Sequence, residues 1–438
     1  MLAYLGLRKI DVWIIVVGLL LTTLYATGHK VDGDVTQVLN NAYEFSENNN
    51  LIPYGNVSTS GAKGNTPGAF LSLITGVPMS IYASPYSALS VIALLHLISL
   101  ILLVNVVKNY LTAFGVSVFV MIFWLSPWRA GEVFLWNPAY IYIASALHLW
   151  SAYHLSKNKS YFFSIVHGLS IFLGLQVHAS FVLLVFLTLI LLSYRSLKVN
   201  WYGCLSGIVL GFLSLLPYIL AGLQNPDIFP RPGADSGSNG FLFFGLIKVY
   251  PLIKAVWYWC LFGSTIFQSH MFHEFNFSWL GTGILKSAIE YSWTGIKYFF
   301  GLLGIILSIR VNWQFFKSNK SILKIWKVKF EEKSNFLNYY ICAGFVSLLI
   351  ASAISPTEPI FWHLLYLWPI AILPISLFVN EKFKSTANSM KVQRIVIAVA
   401  VFFVFSNLFA ALGSRKHDFF NFSFHDYYQK NYIERVQR

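Results

Sequence analysis

The stretch DVWIIVVGLLLTTLYATGHKVDGDVTQVLNNAYEF, residues 11–45, joins a long apolar run to a polar segment that opens with two aspartates. The apolar run is long enough to cross a bilayer as a helix. Asp32 and Asp34 follow it directly. From Val35 to Phe45, apolar side chains fall on one helical face and polar side chains on the other. The stretch predicts a membrane span, two carboxylates beside the membrane, and an amphipathic helix lying on the membrane surface.

The composition extends this interpretation to the whole chain. Of 438 residues, 56% are hydrophobic and 11% are charged, whereas soluble domains have about 25% charged residues. Long apolar runs without alternation favour helices over a barrel. The net charge of +14 lies mostly in short loops, which is typical of membrane orientation and not of nucleic-acid binding. The predicted fold class is an all-α polytopic membrane protein.

Basic residues in the loops orient the chain with its N-terminus in the cytoplasm. The bundle covers 1–413, with large outer loops at 29–86 and 223–290 and a short outer tail at 414–438. Segment 68–84 predicts a half-helix broken by proline. Segment 241–267 predicts an interfacial or re-entrant pair of helices. Eleven spans are predicted, near 11–28, 87–107, 111–127, 138–156, 161–178, 180–194, 201–222, 291–310, 337–354, 361–379 and 395–413.

Asp32 and Asp34 have both a structural and a chemical interpretation. Asp34 fits the N-cap of the surface helix, where an aspartate satisfies free backbone N–H groups. A carboxylate at this position could instead act as a general base that removes a proton from an acceptor hydroxyl or amine. The Asp-x-Asp pattern could also hold a divalent metal through oxygen ligands.

The short outer loop SPWRAGEVFLWNP, residues 126–138, adds Arg129 and Glu132. The simplest interpretation is a surface salt bridge, which contributes little to stability. Alternatively, Arg129 binds a phosphate through its planar guanidinium, and Glu132 shares the role of base or acceptor-binding group.

Several other polar residues lie near predicted outer ends of spans. His178 and His363 are either packing residues or ligands on a substrate path. Arg231, in the Pro- and Gly-rich stretch 225–240, could bind a phosphate from a mobile lid. Glu358 and Lys63 are further candidates for substrate binding in the outer loops. Walker A, zinc-helix and nucleophile-elbow patterns are absent from the sequence, which argues against those enzyme classes.

Five segments give the chain a resemblance to the GT-C glycosyltransferases, which include protein O-mannosyltransferases, lipid A aminoarabinose transferases and bacterial enzymes that decorate lipopolysaccharide. The resemblance lies in layout and short motifs over most of the chain. His363 stands where these enzymes often have arginine, and Asp-Gly-Asp replaces their frequent Asp-Glu pair. The segments are DGDVTQVLNNAYEFSENNNLIPYG (32–55), GNTPGAFLSLITGVP (64–78), WNPAYIYIASALHLWSAYHL (136–155), GLSIFLGLQVHASFVLL (168–184) and FWHLLYLWPIAIL (361–373).

The resemblance implies a GT-C-like bundle of about eleven transmembrane helices with extracytoplasmic surface helices. It implies transfer of a sugar from a polyprenyl-phosphate donor to a glycan or lipid-linked acceptor, with inversion and with Asp34 preferred as the base. The Asp-x-Asp pattern makes a divalent metal the candidate cofactor, and the expected setting is a bacterial inner membrane and its cell envelope. The alternatives are a flippase or transporter of lipid-linked glycans, which needs a charged central cavity, and an O-antigen polymerase, which needs arginines in two outer loops.

Overall fold

The computed structural model of the protein describes residues 6–26, 33–57, 62–130, 132–232, 243–244, 247–264, 283–324, 330, 335–355, 359–385 and 389–413. Helices dominate this part of the chain and share one hydrophobic core. The helices are α1 (Lys9–Ala26), α2 (Gly33–Asn48), α3 (Phe70–Ile81), α4 (Pro85–Val107), α5 (Ala113–Leu125), α6 (Pro127–Ala130), α7 (Ile141–Lys157), α8 (Tyr161–Val177), α9 (Val182–Ser193), α10 (Trp201–Gln224), α11 (Val249–Leu261), α12 (Ile284–Ser318), α13 (Phe336–Ile354), α14 (Trp368–Ala371), α15 (Leu373–Lys384) and α16 (Ser389–Gly413).

Short elements join these helices. Four short segments of 3-10 helix, called 3-10 turns below, cover Asn137–Tyr140, Ala179–Phe181, Pro226–Ile228 and Phe361–Leu367. The strands are β1 (Tyr54–Val57), β2 (Ala62–Lys63), β3 (Asn65–Pro67), β4 (Arg231–Pro232), β5 (Phe243–Phe244) and β6 (Ile247–Lys248), and they form the antiparallel pairs β1–β3, β2–β4 and β5–β6.

A helix lies at each of the eleven predicted span positions, but within the described part of the chain seven helical segments are both long and apolar enough to cross a membrane. The protein is therefore an integral membrane protein, while the predicted number of eleven spans is not confirmed. The four shorter helices, α5, α7, α8 and α9, have 12 to 17 residues. In α5 every residue except Ala113 and Ile122 is buried, so protein and not lipid surrounds most of this helix. By contrast, α12 is 35 residues long, about 52 Å, which exceeds the bilayer core.

The apolar stripe of α2 is confirmed, but protein covers it. Val35, Val38, Leu39 and Ala42 are almost fully buried, because α2 packs against α3 and β1. Phe45 lies against Gly76 of α3, where an added Cβ would approach the Phe45 ring to 2.8 Å. The prediction that this stripe rests on the membrane surface is therefore wrong.

Segment 241–267 also differs from its prediction. In place of a pair of helices, the described part contains the β5–β6 strand pair and then α11 alone. Aromatic and β-branched residues such as Phe243, Phe244 and Ile247 favour strands. Pro251 is tolerated in the first turn of α11, where its missing N–H breaks no helical hydrogen bond. The predicted half-helix at 68–84 is present as α3, with Pro78 inside it.

Close packing and a polar network fix the centre of the bundle. On α10, a Cβ added to Gly207 would lie 2.7 Å from the Ile165 carbonyl oxygen of α8, so glycine permits this close helix contact.

A polar network joins four other helix positions. The Thr188 hydroxyl of α9 donates to a carbonyl of its own helix and lies 2.8 Å from His148 Nε2 and 3.0 Å from His167 Nε2. Its two lone pairs therefore accept from both imidazoles. His148 Nδ1 in turn lies 2.7 Å from the Tyr340 hydroxyl, so one network joins α7, α8, α9 and α13.

Candidate functional site

The N-terminus of α2, the β1–β3 pair, the loop 132–140 and three of the 3-10 turns gather at one end of the bundle, called the loop end below. The turns Asn137–Tyr140 and Ala179–Phe181 both contact the turn Phe361–Leu367, and β3 contacts α8. Residues far apart in the sequence therefore meet here. Most of the predicted site residues that the structure describes lie at this end.

Asp34 lies in the first turn of α2 and is half-buried. The helix begins at Gly33, so Asp34 is not the N-cap that the sequence predicts, and Asp32 lies outside the described residues. Three hydrogen bonds attach α2 to β1 and its ends: Asn56 Nδ2 donates to the Asp34 carbonyl oxygen at 3.0 Å, the Val57 N–H donates to Gln37 at 2.8 Å, and Asn41 donates to a β1 carbonyl at 3.0 Å. These bonds hold the α2 backbone at Asp34 in place, and so fix the point from which the Asp34 side chain extends.

Arg129 is fully buried and does not form the predicted salt bridge with Glu132. Its Nε donates to the Trp124 carbonyl oxygen at 2.8 Å, and both terminal nitrogens lie 3.1 Å from the Thr22 hydroxyl. The guanidinium also lies over the Trp124 ring, 4.1 Å from its centroid. Burial lowers the pKa of Arg129 to about 9. Short helix α6 turns this side chain into the core, between α1 and α5.

Glu132 is also fully buried. Within the described part of the chain, neither carboxyl oxygen has a hydrogen-bond partner. The Trp136 indole lies near enough to influence the carboxyl group, but its N–H makes no hydrogen bond of ordinary geometry with it. Burial raises the pKa of Glu132 well above its usual value, because a charge is poorly solvated there. The buried environment therefore favours the neutral acid, which can donate a hydrogen bond.

His178 and His363 are 185 positions apart in the sequence, yet their ring centroids lie 5.3 Å apart. His178 Nδ1 accepts from the Ser180 backbone N–H at 3.2 Å, and His363 Nδ1 accepts from the Ile360 N–H at 3.3 Å. An imidazole nitrogen that accepts carries no proton, so both neutral rings carry their proton on Nε2. Burial and the neighbouring His363 lower the pKa of His178 to about 3. The His178 ring is therefore uncharged, and the accepting Nδ1 of each ring leaves its N–H on Nε2.

The remaining candidates are less fully described. Lys63 and Arg231 are register partners in the antiparallel β2–β4 pair, so the backbone brings two predicted basic residues together. Nothing is described of their side chains. Glu358, like Asp32, lies outside the described residues, as does the predicted tail 414–438.

Comparison with solved structures identifies the architecture. The chain is similar to the crystal structure of ArnT from Cupriavidus metallidurans in the apo state, with a TM-score of 0.54 and 10% sequence identity, over 93% of this chain and 76% of that one. The structure of the same enzyme bound to undecaprenyl phosphate gives a TM-score of 0.52 and 10% identity, over 93% and 77% of the two chains. The chain has the GT-C fold of ArnT. No protein-family model matches the sequence, and no curated protein matches it either.

Within this GT-C fold, a chain of contacts joins the histidine pair to Asp34. The ring of Trp362, next to His363, lies 6.1 Å from that of Trp136. Asn137, which follows Trp136, donates to Thr66 at 3.1 Å. Thr66 donates to the Asn56 carbonyl oxygen at 3.3 Å, and Asn56 donates to the Asp34 carbonyl, as described above. The two predicted groups of polar residues thus belong to one site.

Sequence reasoning missed the residues that connect this site, namely Asn56, Thr66, Trp136, Asn137 and Tyr140. The only available signal was their position within the segments 32–55, 64–78 and 136–155, on which the GT-C resemblance rests. Gly68 adds a further constraint: its φ is +87°, and it lies directly against the side chain of Gln176. Glycine permits that conformation and that contact, which bring the end of α8 against the loop after β3.

Two further observations concern the loop end and its surroundings. An apolar groove of about 540 Å³ runs between α11 and α13, both of which contact the turn that carries His363. Its lining side chains are Leu252, Ile253, Val256, Leu349, Ile350 and Ala353. Among the described residues, no group of three or more His, Cys, Asp or Glu side chains could hold a metal ion.

Proposed function

We propose that this protein transfers a sugar from a polyprenyl-phosphate-linked donor to a glycan or a lipid-linked acceptor. The proposal places the loop end at the extracytoplasmic face of a bacterial inner membrane, with the N-terminus in the cytoplasm and the C-terminus in the periplasm. The observation that carries it is the convergence of Asp34, Glu132 and the pair His178–His363 at one end of a GT-C fold. A carboxylate, a buried acid and uncharged N–H donors are the groups that a displacement at a sugar–phosphate bond requires.

In the proposed reaction, Asp34 accepts the proton of the acceptor hydroxyl or amine as that group attacks the anomeric carbon. The bond between this carbon and the phosphate oxygen breaks, and its electron pair leaves with the lipid phosphate. A single displacement inverts the configuration of the sugar. The Nε2–H groups of His178 and His363 would donate to the phosphate oxygens as their charge develops. Glu132, as a neutral acid, would donate to a substrate oxygen beside them.

The basic residues take different places in this proposal. Lys63 and Arg231, paired across β2 and β4, are candidates for a second contact with the phosphate. Arg129 is committed to Thr22 and to the Trp124 carbonyl, so direct binding of phosphate by Arg129 would require those hydrogen bonds to break. Glu358 stays a candidate for acceptor binding, and Asp32 stays the alternative base.

The apolar groove supports a lipid-linked donor. All six lining side chains are aliphatic, and both helices that line the groove contact the turn that carries His363. A polyprenyl tail is a branched hydrocarbon whose burial is favourable by roughly 25 cal/mol per Å². A tail in the groove would bring its phosphate towards the histidine pair. ArnT, the similar protein, was crystallised with undecaprenyl phosphate.

The test is transfer from a synthetic polyprenyl-phosphate sugar by the purified protein. Asp34→Asn is expected to abolish turnover while donor binding is retained, and Asp32→Asn is measured beside it to decide which aspartate is the base. Asp227→Asn is the matched control, because Asp227 is an exposed carboxylate at the end of α10. Unchanged rates in both Asp34→Asn and Asp32→Asn would refute the mechanism. Addition of EDTA tests the divalent metal hypothesis for Asp-x-Asp.

The two alternative functions fit the described residues less well. A flippase or transporter needs a charged cavity, but only four charged side chains in the described part of the chain are buried, namely Asp11, Arg129, Glu132 and Lys297. An O-antigen polymerase needs arginines that are free to bind substrate in two outer loops, and Arg129 is bonded inside the core. Transfer without polymer growth would separate the proposed function from the polymerase.

A further inference from the structure

Apart from the Glu132 carboxyl group described above, four side chains at the loop end carry buried polar atoms without a hydrogen-bond partner in the described structure. These atoms are Asn56 Oδ1, Trp136 Nε1, Asn137 Oδ1 and Tyr140 Oη. Asn56, Asn137 and Tyr140 are more than nine-tenths buried. Native proteins leave few buried polar atoms unpaired, and each one calls for an explanation. Four such atoms in one small region indicate a partner that does not belong to the chain.

The four groups lie close together. Asn137 donates to Thr66, which donates to the Asn56 carbonyl, so one chain of hydrogen bonds joins the two asparagines. Asn137 and Tyr140 are the first and last residues of one 3-10 turn, and residues three apart in such a turn lie on the same side. Trp136 immediately precedes this turn.

The hydrogen bonds also determine which atoms the asparagines present. Asn56 faces the Asp34 carbonyl oxygen, which only accepts, so its Nδ2 must donate there and its Oδ1 is free. The Thr66 hydroxyl hydrogen goes to the Asn56 carbonyl, so Thr66 accepts from Asn137 Nδ2, and Asn137 Oδ1 is free. The unpaired set is therefore two carbonyl acceptors, the N–H donor of Trp136 and the hydroxyl of Tyr140.

A ligand that satisfies this set must both donate and accept, as hydroxyl groups do. The set is uncharged, so it matches an uncharged ring with several hydroxyls. Trp136 adds an apolar face: it is half-buried and stacks on Phe134 with ring centroids 4.5 Å apart. A sugar ring has polar hydroxyls at its rim and apolar C–H groups on its faces, and an aromatic ring with a polar edge complements both.

We propose that Asn56, Trp136, Asn137 and Tyr140 form the subsite that recognises the hydroxyl groups of the transferred sugar, which is a neutral hydroxylated sugar. This inference rests on the proposed function, because the donor supplies the sugar. The subsite lies beside the Asp34 backbone and follows Glu132 in the chain, so the sugar it holds is placed at the proposed reaction centre.

Tyr140→Phe is the sharpest variant, because it removes one oxygen and keeps the ring contact with Phe70. The hydroxyl has no hydrogen-bond partner among the described residues, so its loss is expected to leave the melting temperature of the ligand-free protein unchanged or raised. The matched control is Tyr142→Phe, since the Tyr142 hydroxyl donates to the Trp128 carbonyl at 2.9 Å. That variant is expected to melt at a lower temperature.

Binding is then measured with two probes, a polyprenyl-phosphate hexose and the same polyprenyl phosphate without sugar. Tyr140→Phe is expected to weaken binding of the first about tenfold, as loss of one buried hydrogen bond does, and to leave binding of the second unchanged. Asn137→Leu is expected to do the same. Equal effects on both probes, no effect on either, or a melting temperature lowered as in Tyr142→Phe would each overturn the subsite.

The same experiment separates the two proposals. If the wild-type protein binds the sugar-free lipid and the variants do not distinguish the probes, the subsite fails and the proposed function stands. If the wild-type protein binds neither lipid, the proposed function fails, and the subsite fails with it.

Discussion

Replacement of Glu132 by glutamine is expected to change how the stability of the protein depends on pH. In the folded protein the carboxyl group is fully buried and its pKa is raised well above the usual value. In the unfolded chain the same group ionises near its ordinary pKa of about 4.3. Between these two pKa values the unfolded chain binds fewer protons than the folded one, so the free energy of unfolding falls as the pH rises.

The magnitude follows from this linkage. Each pH unit in that interval lowers the free energy of unfolding by about 1.4 kcal/mol, and below the ordinary carboxyl pKa the loss disappears. For a chain of 438 residues, this corresponds to a melting temperature lower by about 2 °C per pH unit, from the average unfolding entropy per residue. Glutamine has nearly the same shape and does not ionise, so the variant lacks this loss.

The assay is thermal unfolding of both proteins in detergent between about pH 5 and about pH 8, a range in which ordinary carboxyls have finished most of their titration. Arg129, with a pKa of about 9, and His178, with a pKa of about 3, titrate mainly outside this range. All groups except Glu132 are shared, so the difference between the two melting curves isolates Glu132. This difference should grow in favour of the glutamine variant as the pH rises. Parallel curves would refute the argument.

Three further predictions concern the bundle. Gly207→Ala is expected to destabilise the protein by about 1–3 kcal/mol, because the added Cβ meets a carbonyl oxygen. Gly295 has open space around it, so Gly295→Ala should stabilise α12 by about 0.5–1 kcal/mol. Equal melting temperatures of the two variants would contradict this. Thr188→Val should lower the melting temperature by removing the shared acceptor of two histidines, while Thr188→Ser should restore it. Thr22→Val should destabilise by about 1–3 kcal/mol, and much less in an Arg129→Met background, which a double-mutant cycle in detergent measures.

The positions of the helices could be predicted from the sequence because long apolar runs have few alternative structures in a membrane. What covers each helix could not be predicted in the same way. The apolar stripe Val35–Phe45 has the same periodicity whether lipid or protein lies against it. Only a tertiary contact, such as that of Phe45 with Gly76, shows that protein covers the stripe. The small strands could not be predicted either, because a pair such as β2–β4 joins residues about 170 positions apart.

The candidate site was predictable in its residue types but not in its arrangement. A single histidine at the end of a span has many uses, so neither His178 nor His363 indicates a functional role by its sequence position alone. Their proximity depends on the turns Ala179–Phe181 and Phe361–Leu367, which have no strong sequence signature. Arg129, in a predicted outer loop, was expected either to form a surface salt bridge with Glu132 or to bind a phosphate, yet the short helix α6 turns it inwards. Unpaired atoms such as Tyr140 Oη can be recognised only when every neighbour is placed.

The central position of α7 has a consequence for how the protein is made. This helix carries His148 and Ser145, whose side chains bond to other segments: His148 Nδ1 lies 2.7 Å from the Tyr340 hydroxyl, and Ser145 donates to the Tyr366 carbonyl at 2.7 Å. Alone in a bilayer it would expose these groups to hydrocarbon, which disfavours insertion by the translocon. We therefore expect α7 to insert stably only together with its neighbours: α4 must already be in the membrane, and α8 must follow soon after. Insertion of these helices is then cooperative.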